Sequence, residues 1–337
     1  VKLGSFNTNA EVLIIAEIGN NHEGDFDLAR RLIDEAAEAG VQAVKFQTFI
    51  PEHYSSQLDS DRIAKLKGFQ LSFEQFEQLA DHARKAGQMF ISTPFDLESA
   101  RFLGGLADGI KIASGDNTFG PLIKTVAETN KPMIVSTGLA DTAQVQNAAK
   151  LIQDTWDANG CTADLAILHC VASYPVPPKE ANLAAIPILA AALNNVTIGY
   201  SDHTLGVDAP VLAVALGARI VEKHFTIDNN YSDFRDHQVS ANPETLKEMV
   251  KRIKDTEVFL GSGAIGMEDC EQPIEAAIRR SIVAAHNLAA GHKILDTDIT
   301  WVRPGGGIPP GEEDRVLGKE LTRAIKPGEM ILSEDLA

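Results

Sequence analysis

The chain has 337 residues, 44% hydrophobic and 23% charged, enough apolar material for a sizeable core and too much for wholesale disorder. A formal charge of −17 repels nucleic acid and anionic membrane surfaces, so anionic substrates would require the few basic groups to be gathered locally. The three cysteines, Cys161, Cys170 and Cys270, show no CxxC or Cys/His ribbon spacing, which argues against a disulfide framework or a zinc knuckle. With no signal peptide recognised and no apolar run of membrane-spanning length, a reducing, cytoplasmic setting is expected.

Eight short apolar, β-branched segments recur along the chain: Val12–Glu17, Val41–Gln47, Gln88–Thr93, Gly109–Ala113, Pro132–Thr137, Leu165–Val171, Val196–Tyr200 and Ala218–His224. Most are apolar on both faces, as buried parallel strands are. Helical patterns separate most of them. Leu28, Leu32, Ala36 and Ala39 share one helix face, and Gly40 stops that helix. Phe73 to Ala86 repeats the design and ends at Gly87. Eight strand–helix alternations predict a (β/α)8 barrel. The competing doubly wound sheet would place a GxGxxG fingerprint after the first strand, and Ile18–Gly24 lacks that spacing.

Past about Thr245 the pattern changes. The helix Pro243–Phe259 can close the barrel, a glycine-rich stretch follows, and the acidic segment from Glu268 reads as a linker. The predicted division is a barrel over 1–267, a linker over 268–278 and a small domain over 279–337. A weak internal repeat marks that domain: residues Ala290–Ile299 resemble Pro327–Leu336.

Catalytic groups of such barrels collect at the C-terminal ends of the strands. Here those ends carry Glu17, Lys45, Gln47, Ser92, Thr93, Lys111, Ser114, Ser136, His169, Ser201 to His203, and Glu222 to His224. A lone charge inside an apolar strand is costly to bury unpaired, so packing alone explains this convergence poorly. His203 and His224, each with an acid nearby (Asp202, Glu222), suit a divalent metal, although either alone could be a hydrogen-bonded core histidine. Lys45 and Lys111 with Ser114, Ser136 and Ser201 can hold a phosphate or carboxylate. The steps Ser114-Gly115 and Thr137-Gly138 let backbone amides approach an anion. A buried Lys–Glu pair, such as Lys111 with Glu17, or a Schiff-base lysine of a pyruvate aldolase also fits the spacing. Glu17 and Glu222 suit acid–base work or support of a metal, or a structural ion pair. Arg303, in a Pro/Gly-rich loop, is read as solvated or as a substrate contact.

In order along the chain stand Ala16-Glu17-Ile18-Gly19-x-Asn21-His22-x-Gly24, Val44-Lys45-Phe46-Gln47, Ser92-Thr93-Pro94-Phe95-Asp96, Lys111-Ile112-Ala113-Ser114-Gly115-Asp116 and Ser136-Thr137-Gly138. Leu168-His169-Cys170, Tyr174-Pro175, Gly199-Tyr200-Ser201-Asp202-His203-Thr204, Glu222-Lys223-His224-Phe225-Thr226 and Arg303-Pro304-Gly305 follow. By this ordered set the chain resembles the N-acetylneuraminate (sialic acid) synthase family over nearly its whole length, with a C-terminal antifreeze-like (SAF) domain. The resemblance implies condensation of phosphoenolpyruvate with an N-acylated hexosamine, N-acetylmannosamine, and water, giving a nonulosonic acid and phosphate. A legionaminate, pseudaminate or 9-phosphate synthase is the near alternative; a pyruvate aldolase or a non-catalytic sugar-binding protein is a distant one.

The resemblance further implies roles. His203 and His224 would hold a divalent metal, manganese first, with magnesium or cobalt as alternatives. Lys45, Lys111, Ser114, Ser136 and Ser201 would bind phosphoenolpyruvate. Glu17, Glu222 and Asp236 would lie near the sugar and the metal, Tyr174 and Asp236 would contact the sugar, and Arg303 would reach it from the partner chain of a domain-swapped homodimer. Val171-Ala172 stands where some sialic acid synthases carry Thr-Asn, and aligning Asp236 takes one extra residue in the loop Asp228–Arg235. Both departures fall on the sugar side.

Overall fold

Eight parallel strands close into a barrel: β1 (Leu13–Gly19), β2 (Ala43–Thr48), β3 (Met89–Pro94), β4 (Gly109–Ile112), β5 (Met133–Ser136), β6 (Leu165–Cys170), β7 (Thr197–Asp202) and β8 (Ile220–His224). Each pairs with its neighbour in chain order, and β8 returns to β1 in the register Ile220↔Leu13 to His224↔Glu17. The ring settles the choice between barrel and open sheet. The computed structural model describes residues 2–3 and 6–337, which form two compact units, Val1–Gly261 and Ser262–Ala337.

Strand alternation builds two cores. Leu13, Ile15, Ala43, Ile91, Ile134, Ala166, Leu168 and Ile220 point inward and fill the barrel. The intervening residues, Ile14, Ala16, Val44, Phe46, Phe90, Ile110, Ile167 and Val221 among them, pack against the helices. Gly199 belongs to the inward set, where a Cβ would meet Leu168 Cδ2 and lie 2.5 Å from Ile220 O, so this layer closes only around a glycine.

The helices form as their patterning predicts. Phe26–Ala39 buries Leu28, Leu32, Ile33 and Ala36; the Asp25 carboxylate accepts from the amides of Asp27 and Leu28 at its start. Gly40 ends it in the left-handed region at φ 87°. Phe73–Lys85 opens with a Ser72/Gln75 capping box. Pro243–Leu260, capped by Asn242, buries Leu246, Met249, Val250 and Ile253.

The outward positions of β7 and β8 hold a buried ion pair. Lys223 Nζ donates to Asp202 Oδ2 at 2.6 Å and to Thr204 O at 2.5 Å. Asp202 Oδ1 accepts from the Tyr200 hydroxyl and the Thr204 amide, both at 2.9 Å. Asp202, expected as an acid serving His203, is therefore committed behind the barrel wall, because neighbours in a strand face opposite sides.

The second unit is built on β9 (Ser281–Ala284) and β10 (Ile299–Val302), which are antiparallel, around Ile282, Leu288, Ile294, Ile299, Val316, Leu321, Ile325 and Ile331. Its internal repeat is structural. Leu288 bridges Ile325; the Asp298 carboxylate accepts from Leu295 N at 2.8 Å, and Asp335 from Leu332 N at 3.0 Å. The stretch 268–278 is exposed and forms helical turns at Asp269–Ile274 and Glu275–Ile278.

Removing Lys223 while keeping Asp202 leaves a carboxylate buried without its cation. Lys223→Met should destabilise the protein by about 3–5 kcal/mol in denaturant unfolding. A loss below about 1 kcal/mol would show that Asp202 does not depend on this lysine for its place.

Candidate active site

One residue further along each strand's inward face, polarity replaces the apolar fill. Glu17 (β1), Lys45 (β2), Thr93 (β3), Lys111 (β4), Ser136 (β5), Cys170 (β6), Ser201 (β7) and Glu222 (β8) line a cavity of ≈ 580 Å³. Gln47, Ser114, Tyr174, His203, His224 and Asp236 line it above them. Strand parity thus divides the predicted strand-end residues. Ser92 bonds to Phe46 O and Thr48, His169 to Ala181 O, and Lys223 to Asp202, and none of the three reaches the cavity.

Two lysines and two glutamates form the floor, each at most 5% exposed. Lys45 Nζ lies 2.7 Å from Glu17 Oε2, 3.7 Å from Glu222 Oε2 and 3.1 Å from Thr93 Oγ1. Lys111 Nζ lies 3.3 Å from Glu222 Oε1, which also accepts from Ser201 Oγ at 2.8 Å. The buried pair is therefore Lys111 with Glu222 and Lys45 with Glu17. The alternative pairing of Lys111 with Glu17 is not formed, since β2 lies beside β1 and β4 lies two strands further round.

Burial and neighbours split these four groups. Burial pushes the Glu17 carboxyl above its usual range despite Lys45. Burial opposes ionisation of Glu222 as well, but Lys111 and Lys45 together hold it down at about 2. Burial draws the Lys111 ammonium below the usual lysine range, with Glu222 pulling the other way. For Lys45 burial is outweighed by Glu17 and Glu222, which raise it. Glu17 is thus the floor carboxyl suited to carry a proton, and Glu222 the one fixed as an anion.

Five atoms of cavity-lining residues are buried without a hydrogen-bond partner: Glu17 Oε2, Asn20 Oδ1, Ser136 Oγ, Glu222 Oε2 and His224 Nδ1, of which the two glutamate oxygens face Lys45 as ion pairs. Such orphans inside a cavity mark places where a ligand completes the set. Ser114 Oγ lies 3.4 Å from Cys170 Sγ and accepts from Gly138 N at 3.1 Å; a Cβ at Gly138 would come within 2.6 Å of it. Asn117 ties the β4 and β5 ends together through Ser136 O (3.2 Å) and Gly138 O (2.9 Å).

His203 and His224 face each other with ring centroids 5.3 Å apart, and Tyr174 stands 4.1 Å and 5.7 Å from the two rings. His203 Nδ1 lies 2.9 Å from Val171 O, an N–H donation that leaves Nε2 as its free lone pair. Burial lowers the pKa of His224 and favours its neutral form. Two facing imidazoles, one fixed through its Nδ1, fit a divalent cation with positions left open. No group of three or more His, Cys, Asp or Glu placed to hold a metal occurs among the described residues. Asp236, from the turn Arg235–Val239, is buried with Oδ1 3.3 Å from Arg235 Nε. Arg303 is exposed and belongs to the second unit.

Sequence reading missed the cations at the cavity mouth. Arg62 and Lys65 come from the helix Ser60–Phe69 after β2, and Arg235 from the segment after β8. The spacing of Arg62, Lys65, Leu66 and Phe69 was the available signal, since it places all four on one helix face.

The NeuB family pattern matches residues 32–265 and the SAF domain pattern residues 279–337. An uncharacterised protein of Methanocaldococcus jannaschii is 42% identical over 96% of this chain and 94% of its own length. The N,N'-diacetyllegionaminic acid synthase of Legionella pneumophila is 37% identical over the same shares. Among solved structures, a putative spore coat polysaccharide biosynthesis protein E from Chromobacterium violaceum superposes with a TM-score of 0.84 at 27% identity, covering 97% of this chain and all of that one. No helix among the described residues is long and apolar enough to cross a membrane. A family match over most of the chain, together with these relatives, places the protein in the NeuB (sialic acid synthase) family of phosphoenolpyruvate-condensing enzymes, with a C-terminal SAF domain.

Proposed function

We propose that the enzyme joins phosphoenolpyruvate to the open-chain aldehyde of an N-acylated hexosamine, N-acetylmannosamine or a close analogue, yielding a nonulosonic acid and inorganic phosphate. The observation that carries this is the buried floor: two lysines and two glutamates beneath a histidine pair, with an unpartnered serine hydroxyl between β4 and β6. The Legionella relative is named for a diacetylated sugar product, which keeps a legionaminate-type acceptor as the second reading.

Lys45 and Lys111 hold the phosphoenolpyruvate anion, and Ser136, whose hydroxyl is unpartnered, donates to its oxygens, with Ser114 and Ser201 beside it. The substrate's C3 is thereby set against the aldehyde carbon. C3 forms the new C–C bond and the aldehyde oxygen gains a proton. Water adds at the electron-poor C2, giving up a proton to the site, and the C2–O bond breaks as phosphate leaves. Glu17, whose carboxyl accepts a proton readily, handles proton transfer at the sugar or the water, while Glu222 stays an anion and orients the lysines. Tyr174 and Asp236 contact the sugar. His203 and His224 would hold the divalent metal, manganese first, which when bound supplies a Lewis acid for the aldehyde oxygen. Arg303 of the partner subunit would cover the N-acyl group in a domain-swapped homodimer; the exposed apolar side chains of Val258, Phe259, Ile265, Met267, Ile274 and Ile278 give such an assembly something to bury.

With ¹⁸O-labelled water the label should appear in the carboxylic sugar at C2 and not in phosphate. Label in phosphate would mean P–O cleavage and overturn the mechanism. Chelation should abolish turnover and manganese restore it, with His203→Ala needing far more metal; full turnover after exhaustive chelation would sink the metal assignment. Lys111 must be charged to hold the anion, and burial has lowered its pKa, so kcat/KM should fall with rising pH before free lysine titrates. A bound anion favours the ammonium, so the alkaline limb of kcat should lie at higher pH than that of kcat/KM. Coincident limbs would show that Lys111 does not face the substrate anion.

A further inference from the structure

Asp236 reaches the cavity from a segment with no core of its own. After β8, the residues from Ile227 to Arg235 are all at least partly exposed, and the helical turn that follows spans only Arg235–Val239. Burial resumes at Asp236 and His237. A polar stretch of this kind is placed by its hydrogen bonds, and those bonds lead away from the cavity.

His237 Nε2 lies 2.9 Å from Glu23 Oε1, and because a carboxylate only accepts, the ring nitrogen donates. His237 Nδ1 lies 2.6 Å from the Thr226 hydroxyl, so both nitrogens of a fully buried ring are engaged. Glu23 Oε1 also accepts from the Ser232 hydroxyl, and Ser232 Oγ accepts from Phe234 N at 3.0 Å. Hydroxyl, imidazole and carboxylate stand in series, yet Thr226 is fully buried and none of Thr226, His237 and Glu23 lines the cavity. The series therefore acts on the loop and not on a substrate.

Glu23 is the fixed end. It lies in the turn after β1, where its amide donates to Asn20 O at 2.9 Å and its backbone takes the left-handed region at φ 47°, uncommon for a residue other than glycine. Gly24 beside it packs so closely that a Cβ would come within 2.1 Å of Gly68 O. From the same turn Asn21 Nδ2 donates to Phe225 O at 2.8 Å and to Ser240 Oγ at 3.0 Å, and Ser240 Oγ donates to Asp236 O at 2.5 Å. The β1 turn thus holds Asp236 twice, through its own carbonyl and through the side chain of the next residue. The lengthened loop Asp228–Arg235 comes before this grip, so its extra residue need not move Asp236.

Resting on the reading of Asp236 as a sugar contact, we propose that Glu23 and His237 are positioning residues for the acceptor. The clasp between them holds the Asp236 carboxylate at the cavity wall where the sugar meets it, and takes no part in holding phosphoenolpyruvate.

The test is steady-state kinetics of Glu23 and Asp236 variants with phosphoenolpyruvate, manganese and either N-acetylmannosamine or its diacetamido 6-deoxy analogue, whichever the native enzyme turns over better. The Glu23 side chain is 28% exposed and belongs to no core cluster, and kinetics are read below each variant's thermal midpoint. Glu23→Ala should lower kcat/KM for the sugar about 10-fold or more and leave the phosphoenolpyruvate KM within about twofold of native. Both contacts fall on the single oxygen Oε1, which an amide also offers, so Glu23→Gln should recover most of the loss. In an Asp236→Ala background Glu23→Ala should cost nothing further, because the group it positions is gone. A sugar kcat/KM for Glu23→Ala within about twofold of native, an equal loss for both substrates, no recovery in Glu23→Gln, or losses that multiply in the double variant would each overturn the clasp and leave the condensation standing. An Asp236→Ala enzyme with native use of the sugar overturns the sugar contact and the clasp with it. No phosphate release by the native enzyme with either sugar overturns the condensation as well.

Discussion

Four ionisable side chains sealed in one barrel layer constrain everything above them. Lys45, Lys111, Glu17 and Glu222 are each almost inaccessible to solvent, and an unpaired charge at that depth would cost several kcal/mol. They must therefore neutralise one another, and the order of strands decides how. Glu17 and Lys45 are adjacent on β1 and β2, while Glu222 on β8 reaches both lysines. Because Glu222 takes two cations and Glu17 one, the two carboxyls are driven apart, one fixed as an anion and one readily protonated. A single packing constraint thus yields two buried ammonium groups and two carboxyls of opposite protonation tendency.

The fold was readable because a barrel strand buried on both faces must be apolar along its length, and eight such stretches stand out between amphipathic helices. The floor residues stood out for the converse reason, as charges interrupting those stretches. Parity was harder. Asp202 and His203 are adjacent in sequence, yet one faces the helices and the other the cavity; the same step separates His169 from Cys170 and Lys223 from His224. Counting alternate residues from the apolar fill, Leu168 or Ile220, would have sorted them. Pairings across the barrel were not readable at all, since Lys111 and Glu222 are joined only by closure of the ring. The mouth escaped notice because its helix is an excursion outside the strand–helix repeat, and exposed Arg and Lys on a short helix look like solvated surface.

The second unit shows how far a repeat carries. The matched segments correctly marked Asp298 and Asp335 as equivalent, each accepting from an amide three residues before it. The partners lie partly beyond the matched stretch and differ in kind. Asp335 is clasped by the Arg323 guanidinium at 2.6 and 3.1 Å, whereas Asp298 lies 3.1 Å from the His286 ring and 2.7 Å from that of His292. A common backbone turn has been kept while the electrostatics of its two copies diverged.

The same division between a fixed frame and a variable contact runs through the catalytic cavity. Val171 serves His203 through its carbonyl oxygen, so its side chain is free to differ from the threonine of some sialic acid synthases without disturbing the histidine. Ala172 lines the cavity itself, and where an asparagine would offer a hydrogen bond it presents a methyl group. That stretch of the wall is correspondingly less polar. A difference confined to the wall changes what the cavity can recognise and leaves the four ionisable groups of the floor untouched.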